Sequence, residues 1–208
     1  MKSFILAFLS IVCSIVLVVL LLVNAIYLEY LFKKYGNFEQ TPLSKQQAKA
    51  VAQGISSYLL GTSSKLVIQD NEDYSAVLSQ RERLHMQDVR NIFLTIRNLA
   101  IVLWAVWFVV VFAPKRKTVP KYYMYGLVAS IVALGGLAIF AWVDFDRVFI
   151  LLHKILFTND LWLLTPGKDF IISMMPLALF QEIAITGGIL VSVFVTVLSY
   201  ILIKKRKY

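Results

Sequence analysis

Long runs of apolar residues dominate the pattern of this chain. Four of them reach the length of about 20 residues that an α-helix needs to cross the roughly 30 Å hydrocarbon core of a membrane. These runs cover residues 4–28, 94–113, 122–143 and 177–203. The pattern predicts a single integral membrane domain over residues 1–208, with four spanning helices.

The segment between the first two runs, residues 29–93, is too long for a simple connection and too polar for another span. Thr41 and Pro42 resemble a helix start, and apolar residues then recur at helical spacing until Gly61. Residues 65–69 and 74–78 are β-prone and flank a turn-like acidic stretch, which predicts a small hairpin. Ser79 and Glu82 have the spacing of a capping box, so a helix is expected to start there and continue into the second span.

The segment between the last two spans, residues 144–176, contains an apolar stretch that is too short to cross the membrane. A helix lying along the membrane surface would place Phe149, Ile150, Leu156 and Phe157 on the same side as His153. Pro166 and Gly167 then turn the chain. We therefore expect this segment and residues 29–93 to fold together as a cap on one side of the membrane.

The distribution of charge along the chain indicates on which side of the membrane this cap lies. The formal charge is +9. Nine basic residues lie in the N-terminus, in the loop at 114–121 and in the C-terminal tail, with no acidic residue among them, and the remaining bases and acids are equal in number. Because basic residues favour the cytoplasm, both termini and the 114–121 loop are predicted to be cytoplasmic. The predicted fold is mainly α, a four-helix transmembrane bundle with an extracellular cap built from the loops between spans 1 and 2 and between spans 3 and 4. The charge reflects topology and gives no reason to expect nucleic-acid binding.

The chain has only two histidines, His85 and His153, one in each half of the predicted cap. Helix geometry places His85 at or just above the outer interface, and His153 lies in the surface segment at nearly the same depth. Because a histidine takes and returns protons near neutral pH, this pair predicts either acid–base chemistry or two partly solvated side chains.

Neighbouring ionisable residues suggest further hypotheses. Glu82 and Asp88 lie within helical reach of His85 and could orient its ring, although a solvated charged face explains them equally well. Glu82 and His85 have a spacing seen in carboxylate-bridged metal sites, but no second copy is present, so no metal is predicted. Arg97 and Glu182 are expected to form a structural ion pair. A serine nucleophile lacks its usual motif. The uncharged middles of the spans argue against a transporter.

Two motifs resemble a known family. The first is His85-Met-Gln-Asp88-Val89, and the second runs from His153 through Phe157, Asn159, Asp160, Trp162, Leu164, Pro166, Asp169, Ile171, Ile172 and Met174 to Pro176. Together with four spans and a histidine in each outer loop, they resemble the bacterial lipoprotein intramolecular transacylases, the Lit family. The similarity extends over essentially the whole chain.

The resemblance implies a membrane acyltransferase that moves the sn-2 acyl chain of a diacylglyceryl-cysteine lipoprotein to the α-amino group of the same cysteine. It implies catalytic roles for His85 and His153. We expect one of them to act as the base and the other to donate to the oxyanion or the leaving group. We expect supporting or substrate-binding roles for Glu82, Asp88, Asn159, Asp160, Trp162 and Asp169.

The expected partners are the lipoprotein substrate and membrane lipid, with no cofactor, no metal, no nucleic acid and no obligate protein partner. The expected location is the bacterial plasma membrane, with the active site at its outer interface. A non-catalytic membrane protein that binds lipid or lipoprotein is the alternative hypothesis.

Overall fold

The structure is a computed structural model that describes residues 2–41, 43–66, 78–112, 123–125, 127, 128, 131, 132, 135 and 143–204. Over these residues the regular structure is helical and contains no strand. The α-helices are α1 Lys2–Leu22, α2 Ala25–Tyr35, α3 Ala48–Leu60, α4 Gln80–Phe112, α5 Phe145–Leu156, α6 Phe170–Met174 and α7 Leu177–Lys204, with 3₁₀ turns at Phe38–Gln40 and Lys45–Gln47. Most of the predicted hairpin and most of the predicted third span lie outside the described residues.

Three of these helices are long and apolar enough to cross a membrane, at Ile5–Leu22, Gln80–Phe112 and Leu177–Leu202. In α4 the apolar part begins at Leu94 and contains one charged residue, Arg97, whereas the preceding part carries the other charged residues and His85. Outward-facing side chains in the apolar part include Ile101 at 66% and Val109 at 71% exposure. Apolar surface of this kind suits contact with lipid tails.

The predicted first span is interrupted at Asn24, which corrects the expectation of one helix over residues 4–28. Its side-chain amide donates to the Leu21 carbonyl at 2.6 Å, and its side-chain oxygen accepts the Tyr27 N–H at 3.0 Å. Asn24 therefore ends α1 and caps the start of α2, because an asparagine oxygen satisfies an otherwise unpaired N–H of the first helical turn.

The chain divides into two compact units. The first comprises Met1–Val19, Arg97–Phe145 and Ile185–Tyr208. Its core is apolar and includes Leu6, Trp107 and Leu198. The Trp107 indole donates to the Ser10 hydroxyl at 2.9 Å, which pairs a buried N–H inside this core.

The second unit comprises Leu20–Ile96 and Asp146–Ala184, and it contains both histidines. Its core is formed mainly by α2, α3 and α6, with Phe32, Val51 and Met174 each at 0% exposure. The apolar spacing predicted for α3 is confirmed. Gly61 ends this helix with a positive φ of 79°, a conformation that glycine adopts without strain.

The predicted start of α3 is wrong by several residues. The helix begins at Ala48, directly after the 3₁₀ turn Lys45–Gln47. The Gln47 side-chain oxygen accepts the Ser44 N–H at 2.8 Å, so the helical turn is set at Ser44. Thr41 instead donates its hydroxyl to the Phe38 carbonyl at 3.2 Å and remains in the preceding turn.

The predicted capping box at the start of α4 is confirmed. The Ser79 N–H donates to Glu82 Oε2 at 2.7 Å, and the Glu82 N–H donates to the Ser79 hydroxyl at 3.2 Å. From there α4 runs for 33 residues without a break, about 50 Å at 1.5 Å per residue. The polar part with His85 and the apolar part are therefore one continuous helix, as the sequence predicted.

Candidate active site

His85 from α4 and His153 from α5 lie side by side, although they are far apart in the sequence. The centroids of their rings are 6.2 Å apart, with an angle of 34° between the ring planes. This separation allows one small reacting group to contact both rings. The structure therefore brings together the two histidines that the sequence placed at a similar depth.

Aromatic rings surround the pair. Phe157 lies 5.1 Å from His85 and 5.6 Å from His153, so it contacts both imidazoles. Phe149 and Trp162 lie 4.2 Å and 5.1 Å from the His153 ring. Phe149 and Phe157 thus lie on the side of His153, as predicted for this helix, whereas Leu156 is 44% exposed.

A backbone carbonyl orients His153. Its Nδ1 lies 2.8 Å from the Phe149 oxygen, one helical turn earlier. Because a carbonyl oxygen can only accept, Nδ1 must carry the hydrogen, and in the neutral ring the lone pair is then on Nε2. The ring is therefore prepared to accept a proton at Nε2.

His85 is more deeply buried, with 7% of its surface exposed. Its Nδ1 is buried and has no hydrogen-bond partner among the described residues. Burial, and then the nearby His153, lower the pKa of His85 to about 4, while Asp88 acts in the opposite direction. Burial also lowers the pKa of His153, and the Phe149 carbonyl partly offsets this. Both rings are therefore neutral near pH 7.

The hydrogen bonds of Glu82 and Asp88 go to groups other than the His85 ring. Glu82 is 1% exposed, so it is not part of a solvated face either. Its Oε2 makes the capping bond described above, and its Oε1 accepts the Ile171 N–H at 2.7 Å. Glu82 thus holds the start of α6 against the start of α4.

Asp169 reinforces this connection. It is 6% exposed, and its two oxygens accept the Ser79 hydroxyl at 3.3 Å and the Thr165 N–H at 2.7 Å. Asp169, which precedes α6, therefore binds Ser79 at the start of α4, and Glu82 in the first turn of α4 binds Ile171 of α6. Both act as structural supports between α4 and the segment that follows α5.

Two further bonds hold the loop at 157–169 against α4. The Asn159 amide donates to Asp88 Oδ2 at 2.9 Å, and Arg81 Nη1 donates to the Leu163 carbonyl at 2.9 Å. The loop between these points carries Trp162, whose ring contacts His153. Asp88 and Asn159 therefore position an aromatic wall of the site, and the Arg81 contact was not predicted from the sequence.

A groove of about 400 Å³ adjoins the histidine pair. Asp160 and Trp162 line it, together with Ile150, Lys154, Phe157, Thr158, Asn159 and Leu163. Of the residues predicted to support the site, Asn159 and Asp160 are both exposed, and Asn159 is bonded to Asp88. Within the described residues, no group of three or more His, Cys, Asp or Glu side chains could hold a metal ion.

Glu182, expected to pair with Arg97, has two partners on α2. Glu182 Oε2 accepts the Lys34 ammonium at 2.6 Å and the Tyr35 hydroxyl at 2.5 Å, which joins α7 to α2. The carboxylate and the Tyr30 hydroxyl raise the pKa of Lys34. The only sequence signal for this contact was a lysine near the end of a short amphipathic helix, which does not specify a partner.

Comparisons with known proteins identify a family. The profile of the family described as lipoprotein intramolecular transacylase Lit matches residues 2–180. No curated protein sequence matches significantly. An in meso structure of the membrane-integral lipoprotein intramolecular transacylase Lit from Bacillus cereus is similar at a TM-score of 0.71 and 22% identity, over 99% of this chain and 96% of that one.

Two variants of the same Bacillus cereus protein have similar folds. A histidine-to-arginine variant matches at a TM-score of 0.67 and 23% identity, over 99% of this chain and 92% of that one. A histidine-to-alanine variant matches at a TM-score of 0.67 and 23% identity, over 99% of this chain and 94% of that one. These structures support the fold, and the family profile covers most of the sequence. The chain is an integral membrane protein that belongs to the lipoprotein intramolecular transacylase Lit family.

Proposed function

We propose that the protein is a membrane transacylase acting on diacylglyceryl-modified lipoproteins. The acyl chain on the sn-2 oxygen moves to the α-amino group of the modified cysteine, leaving an N-acyl lipoprotein of the lyso form. The observation that carries the proposal is the 6.2 Å separation of His85 and His153 within an aromatic site, in a member of this family. Both rings are kept neutral by burial, as an acid–base pair requires.

The proposed topology follows the sequence pattern. Four helices span the bacterial plasma membrane as a bundle, with both termini and the 114–121 loop in the cytoplasm. Residues 29–93 and 144–176 form an extracellular cap that contains the histidines. The substrate's acyl chains remain in the outer leaflet, and its cysteine reaches the cap at the membrane interface.

His153 acts as the general base in this proposal. An α-amino group has a pKa of about 7.7–8.0 and must lose a proton before it can attack an ester. His153 Nε2 accepts that proton because Nδ1 is engaged by the Phe149 carbonyl. The amine nitrogen then forms a bond to the acyl carbon, the carbonyl π bond breaks, and the carbonyl oxygen becomes an oxyanion.

Collapse of this intermediate completes the transfer. The carbonyl re-forms as the bond between the acyl carbon and the sn-2 oxygen breaks, and the sn-2 oxygen takes the proton from the His153 imidazolium. Neutral His153 then accepts the remaining extra proton of the attacking nitrogen and releases it to water, which leaves an amide N–H. The attack closes a ring through the cysteine, its sulfur and two glyceryl carbons. Holding the reacting atoms close in the aromatic site offsets the entropy lost on ring closure, since oriented intramolecular reactions reach effective molarities of about 10⁵–10⁸ M.

His85 supplies the hydrogen-bond donor. In its neutral form one ring nitrogen carries a hydrogen, and the described residues do not engage Nδ1. A donor that is buried and unpaired before the reaction stabilises an oxyanion strongly, because water does not compete for it. Glu82, Asp88, Asn159 and Asp169 position the site, and Trp162 forms its wall beside His153. The reaction as written uses no cofactor, no acyl-enzyme and no protein partner other than the substrate.

The test uses the purified full-length protein and a synthetic diacylglyceryl-cysteine lipopeptide, with mass spectrometry and fragmentation to locate the acyl chain. The unmodified protein should convert the diacyl form to the N-acyl lyso form without a change of mass. His85→Ala and His153→Ala should lose at least a hundredfold of this rate, in line with the usual contribution of acid–base groups. Gln87→Ala, an exposed change on the same helix as His85, is the matched control and should remain active.

Retained turnover in either histidine variant would contradict the proposed chemistry. Binding of the lipopeptide without turnover by the unmodified protein would favour the alternative function, a lipid-binding or lipoprotein-binding protein without catalysis.

A further inference from the structure

The groove beside His153 is close enough to the proposed reaction centre to hold part of the substrate. Phe157 and Trp162 line the groove and also pack against the His153 ring, at 5.6 Å and 5.1 Å. A ligand in the groove would therefore be separated from the histidine pair by a single aromatic side chain, that of Phe157 or Trp162. Its volume of about 400 Å³ falls within the range of sites that bind small ligands.

The lining of the groove is mixed in character. Phe157 and Trp162 give it an apolar floor, whereas Lys154 and Asp160 contribute one positive and one negative charge. Both charged side chains are exposed, and neither forms an ion pair with the other or with any residue in the described parts of the chain. Their charges are therefore available to a ligand.

Asn159 differs from these two residues, although it also lines the groove. Its amide group is bonded to Asp88, and its side-chain oxygen accepts the Leu161 N–H at 3.0 Å. Asn159 thus fixes the shape of the groove. Lys154 and Asp160 remain as the charged groups that can distinguish one ligand from another.

The substrate has two parts that extend from the reacting cysteine, its acyl chains and its polypeptide. An acyl chain in this groove would lie against a lysine and an aspartate and remove water from them, which is costly for charged groups without new partners. The polypeptide leaves the cysteine in one direction only, because the cysteine is the first residue. At 3.3–3.6 Å per residue, the next two residues end within about 7 Å of the cysteine, next to the histidines.

We infer that this groove binds the first residues of the lipoprotein polypeptide after the modified cysteine, and that Asp160 and Lys154 select for basic and acidic side chains at those positions. The inference rests on the proposed function, since it places the cysteine at His153. It makes Lys154 and Asp160 specificity-determining residues that take no part in the acyl transfer. Trp162 and Phe157 contact both the peptide and the catalytic ring.

The experiment compares three lipopeptides with identical acyl chains, in which the two residues after the cysteine are Ser-Ser, Lys-Lys or Glu-Glu. At low salt, Asp160→Asn should raise KM for the Lys-Lys peptide about two- to fivefold, the range expected for a partly exposed ion pair, and leave the Ser-Ser peptide unaffected. Lys154→Gln should do the same for the Glu-Glu peptide. In each case kcat should remain within about twofold, and the KM differences should shrink at high salt.

Two matched controls make the same charge changes outside the groove. The controls are Asp146→Asn and Lys168→Gln. Asp146 is at the start of α5 and Lys168 is in the loop before α6, and both residues are exposed. Neither should change KM for any of the three lipopeptides. A uniform response of all four variants would show that the overall charge of the protein, and not the groove, causes the effect, and would overturn the inference.

Two other results would also overturn it. One is an identical KM for the three peptides with the unmodified protein and both groove variants. The other comes from Ser-Ser peptides made with shorter and longer acyl chains: a KM that changes in the groove variants with acyl length, while peptide charge has no effect, would place an acyl chain there. Dissociation constants for the same lipopeptides, measured by fluorescence anisotropy with a labelled C-terminus, separate the two proposals. Charge-dependent binding without turnover supports the groove and contradicts the transacylase reaction.

Discussion

Replacing Glu82 should destabilise the protein more than any other single change in the polar contacts around the site. The side chain is 1% exposed, and each of its oxygens accepts one backbone N–H, from Ser79 and from Ile171. Glu82→Ala leaves both donors without this partner. At about 1–3 kcal/mol for each unsatisfied buried group, the loss is about 2–6 kcal/mol.

The assay is thermal unfolding of the detergent-solubilised full-length protein, followed by intrinsic tryptophan fluorescence. For a chain of this size, a loss of 1 kcal/mol lowers Tm by about 2–4 °C, so the expected fall is roughly 5–20 °C. The Tm of Glu82→Gln should lie between those of the unmodified protein and Glu82→Ala. Its amide oxygen replaces one of the two acceptors, while its amide N–H faces the second donor. Asp88→Ala is the control. It removes a carboxylate whose bond to Asn159 is exposed, and should cost less than about 1 kcal/mol.

A different outcome would refute this reasoning. If Glu82→Ala unfolded within about 2 °C of the unmodified protein yet lost transacylase turnover, Glu82 would act on the substrate or on His85 directly. The structural role inferred from its two backbone bonds would then be wrong. If Glu82→Ala were less stable but had normal turnover at a temperature well below its Tm, the result would support the structural role of Glu82.

Three further predictions concern pH, the aromatic wall and the contact between α2 and α7. Because the pKa of His85 is about 4 in the folded protein and an unfolded histidine titrates near 6.5, the unfolded chain binds more protons between these values. Stability should therefore be greatest above pH 6.5 and fall as pH drops towards 4, and Tm against pH for His85→Leu should show a shallower slope. Trp162→Ala should lower kcat about tenfold through loss of its contact with His153, with Trp162→Phe largely restoring it in the lipopeptide assay. Lys34→Met removes an exposed ion pair with Glu182, and a Tm change larger than about 2 °C in the same unfolding assay would be unexpected.

Periodic and local features of this fold could be predicted from the sequence. The apolar face of α3 followed from Val51, Ile55 and Tyr58 at helical spacing, and the start of α4 followed from the capping box at Ser79. These signals arise from residues that interact within one or two turns. The meeting of the histidines followed from their similar expected depth, and the resemblance to the Lit family agreed with it.

Long-range polar partners could not be predicted in the same way. Glu82 is three residues from His85, and helical spacing alone made an imidazole partner reasonable. The structure instead gives it the N–H of Ile171, and it gives Glu182 the ammonium of Lys34, a partner that spacing did not indicate. Helical spacing predicts which residues share a face of a helix. Which hydrogen-bond partner a residue has depends on how segments distant in the sequence pack together.

The break at Asn24 was missed for a related reason. A hydropathy window treats one asparagine among apolar residues as a minor interruption, so the first span was extended to residue 28. The side chain of Asn24 caps the following helix with the Tyr27 N–H, and a cap depends on one hydrogen bond that average hydropathy does not register.

The bonds that hold α4 to the segment after α5 join residues 71 to 90 positions apart in the sequence. Contacts at such distances form only after a large loop has closed, and closing it costs chain entropy before any bond compensates. The histidine pair should therefore assemble late, after α2 and α3 have packed. A nascent chain that ends before Asp169 has neither the last supports of α4 nor a finished site. Acyl transfer should consequently be absent until synthesis of the second half is complete.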